Sequence, residues 1–210
     1  MSLKELIIVG AGSFGREVLC WARDIHQNKW KVKGFIDDNL NSLNAYNIDV
    51  PVVSRITGYQ PDLNEVFVCA IAKPDIRLKI TADLENKGAE FVNIIHPTSV
   101  IGGNNQIGTG NILCPYSVIT TNVTIGNHVI VNLHSSIGHD VVIEDGVTLS
   151  AHCDITGFVQ LEKGVFLGSG ARLLPSARAE QFSVIGAGCV VLKHVKAHKT
   201  VFGVPARYLN

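Results

Sequence analysis

Between residues 101 and 191 an aliphatic side chain recurs at every sixth position: Ile101, Ile107, Leu113, Ile119, Ile125, Val131, Ile137, Ile143, Leu149, Ile155, Leu161, Leu167, Leu173, Ile185 and Val191. Fifteen of sixteen grid positions are filled, and Ala179 is the lapse. The position two residues earlier is small or β-branched throughout, from Ser99 to Cys189, except at Asn105 and Asn111. Glycine often follows the aliphatic, as at Gly102, Gly126, Gly138 and Gly168. A six-residue period fits neither an ordinary helix nor a lone strand. It predicts a parallel β-helix in which each hexapeptide supplies one short flat strand and one corner. Three hexapeptides close a triangular coil, so the grid holds about five coils. Their layers stack about 4.8 Å apart and satisfy one another's backbone hydrogen bonds. Ordinary antiparallel strands would instead show turn clusters every 8–12 residues or so.

Residues 1 to about 95 follow a different rhythm. "ELIIVG" reads as a strand ending in glycines, and "REVLCWARDIHQ" as a helix with apolar spacing at Val18, Leu19, Ala22 and Ile25. "KVKGFIDD" and "VFVCAIA" read as strands, "PDIRLKITADLENKG" as a helix opened by Pro and closed by Gly, and "FVNII" as a further strand. Strands joined by crossover helices predict a small Rossmann-like parallel sheet, about half of a dinucleotide fold. The division expected is residues 1–95 as an α/β domain and 96–210 as the β-helix with its tail.

Composition narrows the partners. The formal charge is zero and the pI is about 7.1, with no basic run, so neither nucleic acid nor an anionic membrane is an expected partner. The longest apolar runs fall far short of the roughly 18–20 residues that span a bilayer. "MSLKELIIVG" has no charged start or cleavage site of a signal peptide. Five cysteines (20, 69, 114, 153 and 189) form no CxxC pair and read as buried hydrophobes in a reducing compartment, which makes the cytoplasm the expected location.

Three motifs carry candidate chemistry. "GAGSFG" (10–15) follows a strand and precedes a helix, with Asp37 and Asp38 about 22 residues on. This is the dinucleotide pattern of glycine turn, helix N-terminus for phosphate and acid for ribose, or else a tight turn packed without ligand. His139-Asp140 falls just past Ile137, at a corner where side chains leave the prism. Imidazole titrates near neutrality and suits a general base, and a neighbouring carboxylate can fix its tautomer. A solvated polar corner is the alternative. His134 and His152 are one coil apart and should stack. The places one and two coils earlier hold Tyr116 and Thr98, which do not complete a zinc set, so no metal is expected.

These residues, with "ARLLPSA", "VIGAGCVVLKHV" and the terminal "VFGVPARYL", make the chain similar to the hexapeptide-repeat acyltransferases. "IIVGAGSFGREVL" and "GFIDDN" make it similar to the branch that acetylates sialic acids or nucleotide-linked amino sugars. That resemblance implies a left-handed parallel β-helix, a homotrimer with active sites between neighbouring prisms, and acetyl-CoA as co-substrate. It implies His139 as base followed by Asp140, and Gly12, Ser13, Phe14, Asp37, Asp38 and Asn132 around the acceptor, a nucleotide sugar. Backbone groups of Thr148, Gly157, Ser169, Gly170 and Ala187 would receive the pantetheine arm and thioester. Phe14 stands where many relatives carry His, and Ala72-Lys73-Pro74 replaces the glycine often found after the strand. The activity implied is N-acetylation of a nucleotide-linked 4-amino-sugar, with O-acetylation of a sialic acid as the near rival. An NAD(P)-binding protein, a metal hydratase and a purely structural β-helix are the other classes. Irregular outward positions count against the last.

Overall fold

A computed structural model describes residues 3–25 and 30–209. The chain begins with β1 (Lys4–Val9), α1 (Ser13–Asp24), β2 (Trp30–Ile36), β3 (Val52–Ser54), β4 (Glu65–Cys69) and α2 (Pro74–Asn86). The strands form one parallel sheet in the order β3-β2-β1-β4. Central β1 is buried from Leu6 to Val9, as its continuous apolar run requires. α1 starts at Ser13, ahead of the apolar spacing that marks it, and the His26 and Gln27 end of the expected helix lies outside the described residues. The strand expected at "FVNII" is not a strand of this sheet. The link from β2 to β3, unassigned by the pattern, contains no helix among the described residues. Its "NLNSLNAYN" run forms successive turns, with Asn39 Oδ1 accepting from Asn41 N–H, because short polar side chains compete with helix for the backbone. In "FVNII", only Phe91 bridges the α/β sheet, at Phe67, while Ile94–Ile95 already belongs to the solenoid.

From Ile94 onward, short strands, nearly all of two residues, wind into three faces of eight, six and six strands, parallel except for the terminal Arg207–Tyr208, which runs antiparallel to Thr200–Phe202. Strands pair with those eighteen residues away, as Ile130 pairs with Ile112 and with Thr148, until the last coil, where the offset falls to sixteen, Arg178 pairing with His194 and Val184 with Thr200. The six-stranded faces give six layers, because the coil starts before residue 101 and continues past 191 to Val195. From Ile107 onward the grid aliphatics point inward and stack, while Ile101 in the first coil is exposed, and the small residues two before them fill the narrowing interior. Each buried Leu or Ile contributes about 1.5–3 kcal/mol. The lapse at Ala179 is itself inward and buried. After Val191 the corner shortens, and the next inward residue is Val195.

The α/β unit sits on the eight-stranded face. Ile94, Ile112 and Ile130, which would otherwise point to solvent, are buried in one cluster with Leu6, Val18 and Leu19. A second latch is polar. Arg77 on α2 is 0% exposed. Its Nε–H donates to His128 O (2.9 Å), Nη1 to Ile71 O (2.6 Å) and Ala72 O (3.0 Å), and Nη2 to Gly146 O (2.7 Å) and Thr148 Oγ1 (2.8 Å). Among the described residues no carboxylate pairs with it, and burial pulls its pKa down to about 10. The covered face leaves the edge between the other two faces free.

Candidate active site

His139 lies on that free edge, and the coil geometry explains the sequence around it. On this edge each layer needs one left-handed residue, supplied by Asn104, Asn122, Asp140, Phe158 and Ser176. Asp and Asn tolerate that conformation better than most residues. Gly138 passes close to the next coil, where a Cβ would come within 2.9 Å of Gly157 N. Between them, His139 projects outward with its side chain 55% exposed. Its Nδ1–H donates to Asp140 Oδ2 at 2.8 Å, since a carboxylate can only accept. Nε2 is thereby left as a lone-pair acceptor facing out of the edge. Phe158 packs edge-on against the ring at 5.1 Å and 87°.

Gly157 is the residue one coil beyond His139, and glycine is needed there. A Cβ would stand 2.6 Å from Cε1 and 2.7 Å from Nε2 of the imidazole. Gly157→Ala should therefore fold normally but swing the ring off Asp140, lowering turnover by about tenfold or more if His139 is the base. A crystal structure of the variant with the Nδ1–Asp140 bond intact would contradict this account.

The remaining candidates fall in two places. Gly12, Ser13, Phe14, Asp37 and Asp38 line one cavity of about 420 Å³ in the α/β unit, together with Ile56, Ala70, Ile71 and Ala72. Gly10 (φ +96°) and Gly15 are required by the fold, for a Cβ on Gly15 would meet Gly10 O at 2.0 Å. A Cβ on Gly12 would meet nothing within 4 Å, so that residue borders open cavity. Gly12 caps α1 with no side-chain bond, and no acid occupies the first turn. The free N–H groups and positive helix end suit a phosphate. Both aspartates already have work in the fold. Asp37 Oδ2 accepts from Ala11 N–H and Oδ1 from Asn39 N–H, each at 2.8 Å. Asp38 accepts from Thr57 N–H at 2.9 Å. Asp37 thus shapes the glycine loop, with its remaining lone pairs available to a ligand.

Asn132 lies on the edge between the covered face and the second face, with Oδ1 turned back to Leu133 N–H at 2.7 Å. Ser169, Gly170 and Ala187 follow on the same edge. Ser169 and Ala187 are exposed there, and neither N–H has an acceptor among the described residues, nor does that of Gly157. Gly170 N–H donates to Ala151 O at 2.9 Å, which leaves only its open Cα face. Thr148 is corrected as a ligand contact. It is 3% exposed, its N–H donates to Val165 O, and its hydroxyl joins Arg77 to Ala72 O at 2.8 Å. Its part is to hold Ala72 in the wall of the cavity beside the glycine loop.

Tyr116, His134 and His152 form a flat ladder, with successive centroids 5.1 Å apart. Parallel rings do not converge their nitrogens on one ion. Among the described residues no group of three or more His, Cys, Asp or Glu could hold a metal. No described helix is long and apolar enough to cross a membrane. Burial pushes the Cys69 and Cys153 thiols up to about 11 and about 12, far from a nucleophilic thiolate. Sequence reasoning missed Arg77 and the Arg16–Tyr46 stack (3.6 Å) beside the glycine loop, because neither belongs to a periodic pattern.

Fold and site together define a β-solenoid enzyme class with a nucleotide-binding type of α/β unit on one face. Residues 5–84 match the family model of the PglD N-terminal domain. WeeI from Acinetobacter baumannii AYE is 31% identical over 97% of this chain and 99% of its own, with a TM-score of 0.87. The chain therefore belongs to the hexapeptide-repeat acetyltransferase family whose members carry a PglD N-terminal domain. The same fold recurs at lower identity in two further structures. The acetyltransferase domain of PglB from Neisseria gonorrhoeae FA1090 is 22% identical over 98% of this chain and 100% of that one, with a TM-score of 0.90. PerB from Caulobacter crescentus, solved with CoA and GDP-perosamine, is 24% identical over 100% and 99%, with a TM-score of 0.88. No curated protein matches the chain significantly.

Proposed function

We propose that this protein transfers the acetyl group of acetyl-CoA to the amine of a nucleotide-linked amino sugar. The carrying observation is an outward imidazole whose Nδ1 is held by Asp140 and whose Nε2 is free. The acceptor nitrogen attacks the thioester carbonyl as its proton passes to His139 Nε2. A C–N bond forms, the C–S bond breaks, and the imidazolium returns the proton to the departing thiolate. Asp140 holds the tautomer and stabilises the imidazolium. No covalent enzyme intermediate is needed, and no cysteine lies on this edge.

The layout supports a homotrimer. The acceptor cavity lies over the covered face, and His139 projects from the opposite edge, so the prism stands between them. A neighbouring copy must then bring its edge to the acceptor. In this reading residues 1–95 bind the nucleotide through Gly12, Ser13, Phe14 and the Asp37–Asp38 pair, and Asn132 approaches the sugar. Residues 96–210 supply the base, and N–H groups of Gly157, Ser169 and Ala187 hold the pantetheine arm. The relatives fit this substrate class: PerB was crystallised with CoA and GDP-perosamine. Five unpaired cysteines, four of them buried, suit a reducing cytoplasm.

The test is thiol release from acetyl-CoA with a panel of UDP-, GDP- and dTDP-4-amino sugars plus sialic acid. Turnover with an amino sugar is expected. Transfer only to sialic acid would replace the N-acetyl reading with O-acetylation, and no release with any acceptor would sink both.

A further inference from the structure

After Glu180 the chain contains no Asp or Glu, yet four of its 18 Lys and Arg follow: Lys193, Lys196, Lys199 and Arg207. The zero formal charge of the whole therefore hides one basic end. All four cations are exposed and make no ion pair among the described residues. Glu180 itself is taken by His194 at 2.9 Å and by Ala197 N–H at 2.8 Å. The fold gathers the cations at the end of the prism. The last coil turns at Lys193 on the His139 edge, at Lys196–Lys199 on the second edge and at Gly203–Val204 on the third. The tail then crosses beneath the core. Gly203 O accepts from Val190 N–H (3.1 Å), Ala206 N–H donates to Val190 O (2.8 Å), and Ala206 packs against the inward aliphatics. Arg207–Tyr208 pairs with Thr200–Phe202, and Tyr208 Oη accepts from Lys196 N–H at 3.1 Å. This lid leaves Phe202, Val204, Tyr208 and Leu209 outward beside the cations, 52%, 74%, 45% and 59% exposed.

We propose that this end of the prism docks onto an anionic lipid bilayer. Lys193, Lys196, Lys199 and Arg207 meet the headgroups, while Val204 and Leu209 enter the acyl boundary and Tyr208 sits between. The charge pattern selects this occupant. A second copy set end to end would bring two basic, acid-free surfaces together, which repel. A nucleic acid offers phosphates but leaves the aliphatic side chains without apolar contact. A bilayer supplies both, negative charge at its surface and hydrocarbon just beneath. The contact overrides the expectation drawn from the net charge. A charged surface acts over about one Debye length, roughly 8–10 Å, so it reads the facing end and not the whole chain. The proposal is independent of the acetyl-transfer reading.

The test is flotation of the full chain, without substrates, on vesicles of phosphatidylcholine alone or with about 30% phosphatidylglycerol at low salt. Wild type should bind the anionic vesicles and not the neutral ones. Salt at about 0.5 M should release it, because exposed charges are then screened within a few ångströms. Lys196→Glu/Lys199→Glu should weaken binding at least about twentyfold, taking about fivefold for each cation near an anionic surface. Lys31→Glu/Lys79→Glu makes the same charge change at exposed positions of the α/β unit and should cost less than about threefold. Val204→Ser, which alters no charge, should cost about fivefold. A thermal melt checks that each variant folds. Wild type that fails to float with anionic vesicles overturns the proposal, as do equal losses in the two double variants. Val204→Ser binding as tightly as wild type overturns the bilayer as well, and leaves a surface for polyanions such as a DNA duplex. No acetyl donor or acceptor is present, so failure of the acetyl-transfer reading leaves the outcome standing.

Discussion

His139→Ala should fold as the wild type does and lose at least about 10²-fold in kcat, the lower end of what a positioned general base contributes. The expected stability is unchanged because the side chain is more than half exposed and packs on one neighbour, Phe158. The KM values for both substrates should move little, since in the proposed role the imidazole acts on a proton in flight rather than on ground-state binding. Asp140→Asn should cost less. The ring keeps its place, but its tautomer is no longer enforced and the imidazolium loses its counter-charge. Steady-state kinetics together with a thermal melt decide the matter. Wild-type turnover in a properly folded His139→Ala protein would remove the imidazole from the reaction.

Arg77→Met should lower stability by about 3–5 kcal/mol, the largest effect expected from any one side chain in the α/β unit. The guanidinium reaches carbonyls of Ile71, Ala72, His128 and Gly146 and the Thr148 hydroxyl. Methionine fills similar space but removes the donor from the carbonyls of Ile71, His128 and Gly146, while Ala72 O keeps the Thr148 hydroxyl, and each lost partner costs about 1–3 kcal/mol where water cannot replace the bond. Arg77→Lys should fall between, because a single ammonium has three donors and cannot span the same spread of oxygens. The midpoint of a urea titration, with the slope checked for constancy, measures the series. A methionine variant as stable as wild type would show that apolar burial alone holds the two parts together.

How much could be read in advance depended on the kind of signal. The solenoid was visible because each inward residue of the grid repeats the same environment, from Leu113 to Val191, so phase accumulates over many layers. His139 and Asp140 could be placed at a corner for the same reason. Thr148 could not be read correctly. It occupies an outward strand position that normally meets solvent, and only the docking of α2 turns it inward to Arg77. Likewise, Asp37 has the spacing of a ribose contact, but its bond to Ala11 N–H depends on how the glycine loop closes. The turns between β2 and β3 went unassigned because several asparagines act locally, which periodicity does not register. Tertiary contacts between parts of unlike period leave no periodic trace.

Because the cradle around the glycine loop rides on one side of the prism and the imidazole stands on the other, the two are joined through the apolar seam of Ile94, Ile112 and Ile130 and the polar residues around Arg77. On the function proposed above, substitutions that reshape the cradle need not disturb the edge that carries His139. Such an arrangement would let a lineage of these molecules drift from one sugar to another while the transfer chemistry stays unaltered.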